Sequence, residues 1–123
     1  MSLLAYRVIH IFSMVLMFTA LGGLILASQA KVQTDASRKM AGMLHGIALI
    51  LLLVSGFGAL ARIGLSNPAI WPTWVWLKAL IWLIFGGLIV LIRRAPRFAS
   101  LMWWALPLLG AVAAYLALSN VRN

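Results

Sequence analysis

Four long apolar runs alternate with short polar breaks along this chain. They cover roughly residues 4–27, 40–63, 73–92 and 100–118. A helix that crosses a bilayer needs about 20 residues, each adding ~1.5 Å, to span a hydrocarbon core of ~30 Å, and every run meets that length. The runs are continuous rather than alternating, which predicts helices and not strands. The breaks carry turn chemistry: KVQTDASRK (31–39), GLSNPAIWP (64–72) with its two prolines, and RRAPR (93–97). Thr73 follows Pro72 and is the expected N-cap of the third helix. The pattern predicts a single all-α domain over residues 1–123, an integral membrane antiparallel four-helix bundle. The first run reads as a retained helix rather than a cleaved signal peptide. Only Arg7 charges its start and its apolar stretch is long, although ILASQA resembles a cleavage site.

Composition supports a lipid environment. Hydrophobic residues make up 65% of the chain and charged residues 9%, against roughly a quarter charged in soluble domains. The lipid bilayer is therefore the first partner to expect. There is no cysteine, which removes disulfides and thiolate metal sites. Ten Lys and Arg face one acid, for a net charge of +9. Most of the positive charge lies at the ends of the apolar runs, so it reads as membrane topology and not as a nucleic-acid surface. The face that holds the N-terminus, here the near face, has Arg7, Arg62, Arg122 and, deeper, Lys78. The opposite, far face has Lys31, Arg38, Lys39, Arg93, Arg94 and Arg97. This bias predicts a bacterial inner-membrane protein with its far face in the cytoplasm and both termini outside.

The lone acid, Asp35, excludes several chemistries. No carboxylate pair exists for general acid–base work, and no carboxylate lies within a span to neutralise a transported cation. A Ser-His-Asp arrangement would need Asp35, which sits in a polar connection on the wrong side for His10. Two separated histidines cannot make a zinc site.

Ionisable groups inside a span are costly, which makes Arg7, His10, His45, Arg62 and Lys78 the residues to weigh. His10 lies ~9 Å inside the near face and His45 ~8 Å inside the far face at the helical rise. They differ in depth by roughly 13 Å or more across a ~30 Å core, too far to ligate one haem together. Lys78 lies ~8 Å inside the near face, level with His10, and Tyr115 returns to a similar level. Around Lys78, helical spacing places Trp74 and Trp82; around His10 it places Tyr6, Arg7, Ser13, Met14 and Met17. Packed together, these faces would form an apolar aromatic pocket with a positive mouth, suited to a flat ligand with an anionic or carbonyl end. A porphyrin with propionates fits that description, as does a quinone. Plainer readings stand beside this one. Lys78 snorkels to the interface with its stem on Trp74, or it forms the mouth. His10 packs against Ser13 or a backbone carbonyl, or it is a ligand. His45, between Gly42 and Gly46, reads as a hydrogen-bonded packing residue. Arg7 and Arg62 read as interface anchors, and Trp103 and Trp104 as a far-face belt. Gly42–Gly46, Gly110–Ala114 and the thin patch SGFGA (55–59) are candidate sites of close helix approach.

The motifs YRVIHIF in the first run, LLLVSGFGAL in the second and WVWLKALIWLIFGG in the third resemble small bacterial four-helix membrane proteins of the SirB and HemJ type. The ending GGLIVLIRR is similar to the SirB type in particular. HemJ-type proteins are protoporphyrinogen oxidases that bind haem b. The resemblance maps their first-helix histidine onto His10 and their third-helix lysine onto Lys78. The chain differs from the HemJ type in lacking a basic, aromatic-rich continuation after the first helix and a histidine late in the third. The resemblance thus implies haem binding more directly than oxidase activity.

These readings lead to one expected site and two rival classes. The site holds a tetrapyrrole (haem b) or a quinone near the outer face. It is lined by His10, Lys78, Trp74, Trp82 and Tyr115, with His10 as axial ligand or hydrogen-bond partner. The rivals are a non-catalytic accessory subunit of a larger membrane complex and a small carrier acting as a homo-oligomer.

Overall fold

The computed structural model describes residues 1–120. Four long helices account for most of them: α1 (Leu3–Ala30), α2 (Asp35–Arg62), α3 (Thr73–Arg94) and α4 (Ala99–Asn120). Short 3-10 turns at Pro68–Ile70 and Pro96–Phe98 lead into α3 and α4. Each long helix is apolar enough to cross a membrane. The protein is a multi-pass, antiparallel four-helix bundle. Arg122, counted in the charge bias, lies outside the described residues.

Two boundaries depart from the hydropathy pattern. α2 begins at Asp35, well before the apolar run. Thr34 and Ser37 form a reciprocal capping box there: the Thr34 hydroxyl accepts from the Ser37 amide at 3.0 Å and the Ser37 hydroxyl accepts from the Thr34 amide at 2.9 Å. Two otherwise unmet N–H groups are thereby satisfied, and the polar DASRK turn joins the helix. Thr73 is not the N-cap of α3. Pro72 holds that position without a side-chain cap bond, and Thr73 is the first helical residue. Proline's fixed φ and missing N–H suit it to a helix entry.

α1 touches all three other helices and so does α3, whereas α2 and α4 do not meet among the described residues. The cross-section is therefore a rhombus whose short diagonal joins α1 and α3, the two helices that start at the near face. Phe18 of α1 sits on this diagonal. Its ring meets Phe85 of α3 edge-on, 5.6 Å between centroids, and its tip presses on Gly110 of α4, where a Cβ would lie 2.7 Å from Cζ. Gly110 thus serves as a seat for an aromatic ring rather than for a second backbone. Gly42 is likewise filled by a side chain, the Arg93 guanidinium, and Gly46 has nothing against it.

The two halves of the bundle are packed differently. The far half buries large apolar side chains: Met17, Leu21, Ile25, Phe85, Ile92 and Met102 among them. The near half buries Ser13, Ser55, Gly110 and Ala113, together with Leu52, Val75 and Ile81. Smaller residues offer fewer dispersion contacts per layer.

Candidate functional site

The near half brings His10 to α2. Its Nδ1 lies 2.9 Å from the Ser55 hydroxyl oxygen. Ser55 is 1% exposed and spends its own hydrogen on the Leu51 carbonyl at 2.6 Å. With that hydrogen committed, the hydroxyl oxygen can only accept, so His10 donates from Nδ1–H. A neutral imidazole that carries its proton on Nδ1 has its lone pair on Nε2. The Cε1 edge rests over Gly56, where a Cβ would lie 3.5 Å away. One turn earlier, Tyr6 lies flat on Gly58, with no room for any side chain there. The segment Ser55-Gly56-Phe57-Gly58 is thus a docking strip for one face of α1. Ser13 is not the partner of His10; it is fully buried and donates to the Ile9 carbonyl at 2.7 Å.

Lys78 arrives from α3 at the same height. Two bonds within the spans stitch α3 to α2: the Trp82 indole N–H donates to the Leu49 carbonyl at 3.0 Å, and His45 Nε2–H donates to the Phe85 carbonyl at 2.9 Å. The helices run antiparallel, so four residues back from Trp82 along α3 correspond to four residues on from Leu49 along α2. Lys78 therefore stands at the level of Leu53, two residues from Ser55. Val75 and Ile81, one turn to either side of Lys78, are both buried. That places Lys78 on the inward-facing stripe of α3, near the height of the His10–Ser55 pair. His10 and Lys78 are both half-buried. The lysine thus lies on the side of α3 that faces the bundle rather than on its lipid-facing side.

The remaining expected site residues divide. Trp74 and Trp82 are half-buried on either side of Lys78; the Trp82 indole N–H is already committed to Leu49, so its ring contributes a wall and not a donor. Arg7 is half-buried one turn from His10. Tyr115 is 70% exposed and lies on the outer surface of α4, which corrects its expected place in the pocket lining. Its depth is similar, but its helical angle points it away from α1 and α3. His45 is a packing residue, 4% exposed and tied to the Phe85 carbonyl. Ser55 is ten residues past His45, so the two histidines stand ~15 Å apart along the bundle axis; they do not share a ligand. A cleft of about 210 Å³ lies elsewhere, between α1 and α2 in the far half, lined by residues including Thr19, Gly23, Ala27 and Met40.

The thin patch SGFGA (55–59) was expected as a site of close helix approach, and what sequence reasoning missed is that Ser55 is the partner of His10 and that Gly56 and Gly58 receive α1. Their signal was present as a serine beside two glycines at the depth of His10, but nothing in one sequence says which helix a thin patch receives. Among the described residues, no group of three His, Cys, Asp or Glu side chains could hold a metal ion. Compared with known protein families, curated proteins and solved structures, the chain matches none.

Proposed function

We propose that this protein binds the polar end of a flat, largely apolar redox molecule, a haem b-like tetrapyrrole or a quinone, between α1 and α3 in the near half of the bundle. The observation that carries this reading is the convergence of one imidazole and one ammonium at a common level. The His10–Ser55 bond fixes the ring and leaves Nε2 as a lone pair, and Lys78 supplies a cation with no acid on its own helix. Nε2 is the atom an axial ligand uses, and it would equally accept a hydrogen bond from a quinol hydroxyl. Lys78 would pair with a propionate or donate to a quinone oxygen. Trp74 and Trp82 give the flat apolar walls that such ligands occupy. The resemblance to haem-binding four-helix proteins points the same way, and the far-face excess of basic residues favours a placement of this end outside a bacterial inner membrane.

The test is a visible spectrum of the protein purified in mild detergent, with chromatography of its organic extract. A Soret band or a co-purifying quinone is expected. A colourless preparation that takes up no haem on reconstitution and contains no quinone would remove the reading. In that case the accessory-subunit alternative gains weight, with a partner carboxylate neutralising Lys78, and native gels in mild detergent would show a larger assembly.

A further inference from the structure

The far face has a basic cluster that the proposed site does not use. Arg93, in the last turn of α3, reaches across to the first turns of α2. Its guanidinium lies against Gly42, where a Cβ would stand 3.0 Å from Nη2. Nη2–H donates to the Arg38 carbonyl at 2.8 Å. Among the described residues this is its only hydrogen bond, although an arginine carries five N–H donors. Its Nε is buried and meets no acceptor. Buried donors without acceptors are rare and call for an explanation.

The surroundings supply more cations rather than an acceptor. Arg94 follows in sequence, Arg38 and Lys39 lie on the facing turn of α2, and all three are exposed. The chain's one acid, Asp35, stands at the start of α2 and pairs with none of them among the described residues. Four positive groups therefore belong to one edge of the bundle, and one of them rests on Gly42 and is tethered by a single bond to a backbone carbonyl. Arg93 closes the apolar part of α3, so its height is that of the lipid headgroups. A guanidinium is a planar fork that matches the oxygens of a phosphate.

We propose that the Arg93 edge between α2 and α3 is a binding site for an anionic phospholipid, with the phosphodiester held by Arg93 and flanked by Arg38, Lys39 and Arg94. A zwitterionic lipid brings its own cation to the same place and is disfavoured there. A small shift of the Arg93 side chain suffices to bring Nε–H to the phosphate, because only one bond tethers it.

Native mass spectrometry of the delipidated protein in mild detergent tests this, with phosphatidylglycerol or phosphatidylcholine added. The wild type should retain phosphatidylglycerol at least about tenfold more strongly, the size of one charge-assisted hydrogen bond. Arg93→Gln should abolish the preference and Arg93→Lys should reduce it, since lysine keeps the charge but loses the fork. Arg97→Gln serves as the control that keeps the preference, because Arg97 lies over the Phe98 ring, 4.9 Å from its centroid. Circular dichroism of each variant checks that the helices are intact. Equal retention of both lipids by the wild type, or an undiminished preference in Arg93→Gln, overturns the proposal. So does displacement of phosphatidylglycerol by millimolar inorganic phosphate, which would mark a site for free anions.

Discussion

The two membrane histidines make opposite use of the same side chain. His45 sits in the large-residue half, almost wholly buried, and its donor is spent on a backbone carbonyl of α3. Nothing charged is needed near it, and the acceptor left to it is Nδ1, the ring nitrogen next to its own stem. His10 sits in the small-residue half. Its donor is spent on a serine that is itself locked to a carbonyl, and its acceptor atom lies on the ring's other nitrogen, in a neighbourhood shared with Lys78. The contrast teaches that burial and hydrogen bonding alone do not separate a packing histidine from a binding one. What separates them is which ring atom remains, and what else has been brought to its level.

Substitutions can break this contrast. The largest expected effect is on ligand retention: His10→Ala should lose the bound pigment or quinone entirely while His45→Ala retains it, read by absorbance per protein. Loss in both variants, or in neither, would erase the distinction between the two sites. Next in size is Gly58→Val, which drives a side chain into the Tyr6 ring. Overpacking of this kind costs about 1–3 kcal/mol, and reversible unfolding in mixed detergent micelles should show it; Gly46→Ala, with open space at that position, should show almost none. His45→Ala should cost about 0.6–1.7 kcal/mol, the range of measured interhelical hydrogen bonds in membranes, in the same assay. The smallest effect is expected for Ser55→Ala. It frees the His10 ring without removing it, and should weaken ligand retention about threefold, one average membrane hydrogen bond. An unchanged affinity would mean that Ser55 does not orient the ring.

The membrane architecture was legible because hydropathy and length alone decide whether a segment can cross. The common height of His10 and Lys78 was legible for the same reason, since depth follows from counting residues from a helix start. Angle did not follow from counting. Tyr115 has the right depth and the wrong side of α4, and its neighbours in sequence, all apolar, give no stripe from which a direction could be read. The His10 partner was missed because it depends on how α2 is rotated against α1, and that rotation is set by the fit of Tyr6 on Gly58. The early start of α2 was missed because hydropathy registers the lipid-crossing part of a helix and not the capped polar turn before it.

The short diagonal of the rhombus has a further electrostatic consequence. α1 and α3 both begin at the near face, so the two most central helices point their peptide dipoles in the same direction. Each contributes roughly half a positive charge at its first turn, and the outer helices, running the other way, stand farther apart. The near end of the bundle thus has a positive potential built from backbone as well as from Lys78. A negatively charged group approaching from that side would be drawn toward the axis before it touched a side chain.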